Sequence, residues 1–545
     1  MSTRASVEDA MIARFPSLWA LRYKTIKGKP TTFVSNNPFK HRPWQQQILD
    51  DNHPTKVIEK SRQLGLSECG LTEVLHFLIF HEAVKVMYIF PRQQQISDFS
   101  KSRIAPVLQD AYFQPLLDPN NNSLSIKRIA SSYLFMRSGW SGAIGEGVDT
   151  DALYGDEYDR LSNGAILAFR EGLKSSVYGW NRMWSTPTIP GRGINLEYSM
   201  SDQRRWIHTC PHCGHRQFLT LDDNLIQVKD GVHYSTGEVE DGTFIIGCSH
   251  CHLPLDRMQT GEWQPQAPHV KETHGYHISQ LDAAWITGDD IMRRRLTYKS
   301  KQLFFNYVVG EPYANEGVMV TDDDIRAAVR LPHPINSRHP QYVAIIAGID
   351  WGDVSYMTIL GMRSNGAVDM LALHSVRDDP RMPLRSVSTF CAILRAYQPN
   401  IVVADAGYGA DRNTYGCTQF PASWYSCYWT TSKSADSRVR FRDLYNEAMH
   451  EITVDKTVKI QRTLHSLKGH LIGMFPWCEQ LEEFAQHVKN TRIMDEEDGD
   501  GMVYQRATRI GADHYMCALT YALIGVDKLT NFNVTTNNRT PVEFI

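Results

Sequence analysis

Glu59-Lys-Ser-Arg-Gln-Leu-Gly-Leu-Ser67 has the make-up of a phosphate loop leading into a helix. A Walker A loop, G-x-x-x-x-G-K-[S/T], wraps phosphates in backbone N–H groups, sets a lysine on the β/γ oxygens and offers a hydroxyl to Mg²⁺. With its last three positions laid on Gly65-Leu66-Ser67, the glycine and the hydroxyl are kept but the lysine is a leucine. Lys60 stands where the first glycine belongs, so the charge is expected to enter from the start of the loop, with Ser61 beside it and Arg62 as a second cation. The partner acid site is Ala152-Leu-Tyr-Gly-Asp-Glu157, an apolar run ending in two carboxylates. Asp156 suits Mg²⁺ held through water, and Glu157 suits polarisation of an attacking water. A solvent-facing helix cap is the plain alternative for such a pair. Met183-Trp-Ser-Thr-Pro-Thr188 is expected to be a strand-end turn in which Thr186 senses the γ-phosphate. In Arg42-Pro-Trp-Gln-Gln46, Trp44 is expected to stack on adenine while Gln45 reads its edge, against the alternative that the tryptophan is core.

The chain of 545 residues exceeds what one core organises and implies two or three domains. Lys plus Arg number 57 against 60 Asp plus Glu, a net charge of -3, so any surface for a polyanion is a local patch. No apolar run is long enough to cross a membrane, and the first residues lack the apolar core of a signal peptide, so a soluble intracellular protein is expected.

Residues 1–40 are rich in breakers and read as an N-terminal arm. From 41 onward, apolar runs such as Val84-Lys-Val-Met-Tyr-Ile-Phe90 alternate with helical patterns such as Cys69-Gly-Leu-Thr-Glu-Val-Leu-His-Phe-Leu-Ile-Phe80, which implies a parallel α/β sheet. This first domain runs to 330, interrupted by a cysteine module at about 206–262. Residues 331–340, with three prolines, read as a linker. A second α/β region fills 341–530, and 531–545 read as a polar tail.

Cys210-x-x-Cys213 and Cys248-x-x-Cys251 each sit in a turn-rich knuckle able to present two thiolates to one ion. Four sulfurs imply a closed, tetrahedral, structural Zn²⁺ site, with redox use of the pairs as the competing reading. His212, His215, His250 and His252 flank the knuckles and read as surface residues.

Val343-Ala-Ile-Ile-Ala-Gly-Ile-Asp350 and Ile401-Val-Val-Ala-Asp405 are acid-tipped apolar strands. Phosphodiester hydrolysis by two Mg²⁺ or Mn²⁺ ions needs carboxylates that hold them about 4 Å apart. Asp350 and Asp405 are expected to share an ion, and Asp513, opening the helical pattern Gly511-Ala-Asp-His-Tyr-Met-Cys-Ala-Leu519, is the third acid. Asp353 and Asp411 are runners-up, and His514 is either a phosphate contact or a packing residue. The segment Asp495-Glu-Glu-Asp-Gly-Asp-Gly501 reads as a flexible hairpin tip; it lacks the terminal glutamate of a calcium loop.

The order Pro43-Trp-Gln, Lys60-Ser-Arg-Gln-Leu-Gly-Leu-Ser67, Gly155-Asp-Glu-Tyr-Asp-Arg160, Ser185-Thr-Pro-Thr188, Ser201-Asp-Gln-Arg204 and Cys210-Pro-His-Cys-Gly214 resembles the large terminase subunit of tailed bacteriophages, in its GpA-like branch. In that family a lysine displaced to the start of the loop is known. The resemblance implies a P-loop NTPase-type sheet with an inserted zinc-ribbon-like module, followed by an RNase H-like nuclease domain whose acids map to Asp350, Asp405 and Asp513. It implies ATP with Mg²⁺ at the first site and an endonuclease at the second. It further implies a motor that moves double-stranded DNA into a preformed capsid in the host cell cytoplasm. The implied partners are a small terminase subunit and the portal of the procapsid, on which the chain forms a homo-oligomeric ring; no membrane is involved. A zinc-containing repair helicase with a fused nuclease is the alternative, and it calls for further helicase motifs after the Ser185–Thr188 turn, which the sequence does not offer.

Overall fold

The computed structural model describes residues 7–139, 149–229, 232–234, 243–298, 300–314, 319–379, 381–382, 384–430, 443–497 and 503–536. The chain divides into two compact units, Met1–Tyr313 and Ala314–Ile545. The elements that carry the chemistry are, in chain order, α1 (Pro43–Asp50), β1 (Thr55–Lys60), α2 (Leu66–Phe80), β2 (Lys85–Phe90), β3 (Ala152–Asp156), β4 (Trp180–Ser185), β5 (His274–Ile278), β6 (Tyr342–Asp350), β7 (Val354–Arg363), β8 (Ile401–Asp405) and α3 (His514–Thr536).

In the first unit the strands lie in the order β5-β1-β4-β3-β2, all parallel. Arg204–Thr209 extends the sheet beside β5 and Ser132–Ser138 beside β2, both parallel to their neighbours. A parallel sheet is covered on both faces, so its strands read as continuous apolar runs rather than alternating ones. β2 accordingly buries Val86 through Phe90. One face packs on α2 through Leu71, Val74, Leu75 and Leu78. The other face holds Val57, Met87, Ile89, Leu153 and Met183 under Ile166, Phe169 and Ile194. Gly70 is where α2 meets the sheet, and a Cβ there would run into the Trp184 ring.

The stretch expected to be an arm is instead packed on this unit. Helices Val7–Arg14 and Pro16–Tyr23 set Trp19, fully buried, edge-on to His76 of α2, and Lys24 pairs with Glu68. The breakers there make ordered turns: Lys27 and Gly28, both at positive φ, join the paired Thr25–Ile26 and Lys29–Pro30, and Asn37 caps the turn Pro38–Lys40. The cysteine module hangs from the Arg204–Thr209 edge and carries its own three-stranded sheet, Leu225–Lys229 between Val232–Tyr234 and Thr243–Ile246.

In the second unit β6 pairs antiparallel with β7 and parallel with β8, and Trp424–Thr430 continues the parallel side. Helix α3 crosses this sheet so closely that a Cβ on Gly348 would strike the backbone of Ala518 and Ala522. The expected linker is a strap on this unit rather than a free connector. Leu331 is buried, Arg330 N and Leu331 N donate to Met474 O, and Ile335 N donates to Leu371 O at 3.0 Å. Helix α3 continues to Thr536, past the expected start of the tail; residues 537–545 and the hairpin tip 498–502 lie outside the described residues.

Beneath the first sheet lies a buried ion cluster. Glu73 Oε1 of α2 accepts from Lys56 Nζ and Arg182 Nε, each at 2.9 Å, and Lys56 also donates to the carbonyls of Ile48 and Asp51. Removing the one carboxylate strands two cations, which costs about 3–5 kcal/mol in comparable buried pairs. Glu73→Ala is therefore expected to lower the first unit's unfolding free energy, read from urea titration, by that amount, and a loss under about 1 kcal/mol would contradict the cluster's role.

Candidate functional site

The parallel register of β1, β4 and β3 brings three strand ends level, with Glu59 opposite Ser185 and Asp156 opposite Trp184. The loop from Lys60 to Gly65 leaves β1, and Gly65 turns into α2 at φ +79, the left-handed region that only glycine enters freely. The Ser67 hydroxyl reaches Asp156, so the loop's hydroxyl and the acid of β3 meet. Burial pushes the Asp156 carboxyl up, against the pull of Lys60. The same burial pushes the Lys60 ammonium down, while Asp156 and Glu157 hold it up. Lys60, at the start of the loop, is thus within reach of the charges of both acids.

Glu157 lies at φ +54, a strained conformation for a side-chain-bearing residue, and its carboxylate accepts from Gln95 Nε2 at 3.1 Å. Ser61 is fully buried; its N–H donates to Ile278 O. Arg62 stacks on the Tyr307 ring, 3.3 Å from its centroid, and its N–H donates to Tyr307 O. Thr186 follows Ser185 at the end of β4, half-buried, with its carbonyl accepting from Ser185 Oγ.

Trp44 and Gln45 do not stand as expected. Trp44 is 1 % exposed, with Trp263 Nε1 donating to its carbonyl, so its ring offers no face to a base. Its place on the inner face of α1 makes it core. Gln45 spends its amide on Leu64 O at 2.7 Å and so braces the phosphate loop. The half-buried cation–aromatic pair beside them, Arg42 4.2 Å above Trp285, went unread because the two residues are far apart in sequence.

In the second unit Ile349 lies opposite Ala404, which sets Asp350 and Asp405 side by side, and α3 begins next to Asp513. Burial, with the Asp405 and Asp513 charges adding to it, pushes Asp350 up to about 6, even though His514 Nδ1 meets its Oδ2 at 2.8 Å. That bond also raises His514. Asp405 accepts from Tyr521 Oη at 2.8 Å and from the N–H groups of Gly407 and Tyr408, and Asp513 from Arg509 at 3.0 Å. Asp353 and Asp411 are exposed. His514 packs flat on Tyr356, ring centroids 5.1 Å apart, so it acts on the acid cluster and packs as well.

The four cysteine sulfurs lie within 4.8 Å of one another, the one such His, Cys, Asp or Glu set among the described residues. The aspartates are spread more widely, as a pair of ions about 4 Å apart allows. Burial opposes the Cys248 thiolate, yet the N–H groups of Cys251 and His250 and the Gln217 amide outweigh it and bring the thiol down to about 6. Gln217, 3.2 Å from Cys248 Sγ, is itself held by Asn224 and Ser249. This donor set suits a soft divalent ion. No spacing rule points to Gln217, and the sequence alone did not reveal it.

Residues 29–263 match the family model of the phage terminase large subunit gpA, ATPase domain. The resemblance to GpA-type large terminase subunits holds. The matched span contains Lys60, Asp156, Glu157 and all four cysteines. The large terminase subunit of Enterobacteria phage P21 is 26% identical over 246 residues, covering 41% of this chain and 37% of that protein. The large terminase subunit of Escherichia phage lambda is 23% identical over 202 residues, covering 33% of this chain and 31% of that protein. The chain thus spans about a third of the length of these curated terminase relatives. Among solved structures, the HK97 bacteriophage large terminase covers 94% of this chain and 99% of its own, at 11% identity and a TM-score of 0.49.

Proposed function

We propose that this chain is the motor and cutter of a viral DNA-packaging machine. It moves double-stranded DNA into a preformed capsid at the expense of ATP and cuts concatemeric DNA with two metal ions. The observation that carries the reading is the meeting of Ser67, Lys60 and Asp156 at one sheet end, inside the segment matched by the gpA ATPase family. The first unit is read as a P-loop NTPase-type sheet and the second as an RNase H-like nuclease.

At the first site Lys60 and Arg62 offset charge on the transferred phosphoryl group, and the N–H groups of the loop cradle the phosphates. Ser67 and Asp156 are the residues to hold Mg²⁺. Glu157, in a left-handed backbone and held by Gln95, orients and deprotonates the attacking water. At the second site Asp350, Asp405 and Asp513 hold the ion pair, which when bound activates water and stabilises the leaving oxygen. The residues fit that group: Asp350 is a buried carboxyl raised by two like charges, and a cation relieves all three. The four thiolates hold a structural Zn²⁺ that ties together a module too small for its own core.

The partners that follow are duplex DNA, a small terminase subunit and the portal of the procapsid, with the chain in a ring on the portal, in the host cytoplasm. No helix among the described residues is long and apolar enough to cross a membrane.

DNA-stimulated ATP turnover is expected in the purified chain and is expected to fall by about 10²-fold or more in Glu157→Gln and Lys60→Ala. Turnover equal in all three would return the roles to other residues. Asp350→Ala is expected to abolish Mg²⁺- or Mn²⁺-dependent plasmid cutting with ATP turnover intact; retained cutting would remove Asp350 from the site. Metal analysis of fresh protein is expected to find zinc that Cys210→Ser releases, and zinc-free native protein would defeat the thiolate assignment.

A further inference from the structure

Asp159 lies two residues beyond Glu157, and the Walker pattern gives it no task. Its carboxylate nonetheless accepts three hydrogen bonds. Oδ2 accepts from Thr188 N at 3.0 Å and Thr188 Oγ1 at 2.8 Å, and Oδ1 accepts from Ile194 N at 2.7 Å. Its own N–H donates to Ser185 Oγ at 3.2 Å. Space is cleared for it: Gly193 sits at φ +56, and a Cβ there would run into the Asp159 carboxylate. Burial pushes this carboxyl up to about 6, against the pull of the Ile194 and Thr188 donors.

The groups it grips lead back to the nucleotide site from two sides. Helix Gly193–Ser199, held through Ile194 N, sends Asn195 to the buried Glu59 at 2.9 Å, and Glu59 immediately precedes Lys60. Thr188 O accepts from Asn306 Nδ2 at 2.8 Å and from Tyr313 N at 3.1 Å. Asn306 adjoins Tyr307, the residue that carries Arg62 on its ring and meets Arg62 N through its carbonyl. A hydrogen-bonded ring therefore runs from the Glu157 loop through Asp159 and Thr188 to the phosphate loop.

We propose that Asp159 is a positioning residue for ATP hydrolysis: its carboxylate locks the Ser185–Thr188 turn to the Glu157 loop, so that acid, turn and phosphate loop keep one geometry. This rests on the ATPase reading of the first unit. Asp159 touches neither nucleotide nor water itself; it fixes where Glu157 and Thr186 stand. A misplacement of about 1 Å in such groups costs about 10²-fold in rate.

The test is steady-state ATP turnover by the full chain with DNA, kcat and KM measured separately. Asp159→Asn, which turns an amide toward N–H donors, is expected to lower kcat by about 10²-fold with KM little changed. Thr188→Val removes one hydroxyl bond and is expected to lower kcat about five- to tenfold, while Thr188→Ser restores it. In the Asp159→Asn background, Thr188→Val is expected to add nothing further. A wild-type kcat in Asp159→Asn, or a raised KM with kcat kept, would overturn the proposal. So would equal kcat in Thr188→Val and Thr188→Ser, which also decides the matter if Asp159→Asn does not fold. Absence of turnover in the wild-type chain would instead overturn the ATPase reading and this assignment with it.

Discussion

Parallel strand pairing sets where chemistry can occur in both units. Strands that run the same way end on the same edge, and the loops leaving that edge face a shared crevice. In the first unit the level ends of β1, β3 and β4 deliver Lys60, Asp156 and Ser185 to one place. In the second, the register Ile349 to Ala404 delivers Asp350 beside Asp405, and α3, which begins just after Asp513, lies close against β6 at Gly348. A one-residue slip in either sheet would turn these side chains to the opposite face.

The two sites pose opposite electrostatic problems. Around the phosphate loop, burial disfavours the charge on Lys60 and on Asp156, and each opposes that effect on the other. Around Asp350 the excess is negative: three carboxylates act on one another, and His514, Arg509 and Tyr521 offset part of it. In the proposed function a pair of divalent ions offsets the remainder. The cysteine module solves a third problem, the stability of a small appendage, by gathering four sulfurs and steadying one of them with Gln217.

Much of this was legible in the chain. Acid-tipped apolar runs gave the strand ends, because a buried parallel strand is apolar throughout and its first polar residue marks the edge. The cysteine knuckles were equally plain, since thiolate pairs at that spacing have few other uses. Packing was harder to read. Trp44 looked like a base platform and is core, because nothing in Pro43-Trp-Gln tells which way α1 faces. Residues 1–40 and 331–340 looked loose for their breakers, yet Trp19 and Leu331 are buried by partners distant in sequence. Asp159 and Gln217 were invisible for the same reason: each acts through bonds to residues that only folding brings near.

Asp350, Asp405 and Asp513, far apart in sequence, are proposed to share a pair of divalent ions. Mn²⁺ binding followed by electron paramagnetic resonance tests it without reference to DNA or turnover. Two ions per chain are expected in a nucleotide-free, zinc-loaded protein, falling to one or none in Asp405→Asn. A chain that binds no Mn²⁺, or binds it equally well after that substitution, would contradict the claim.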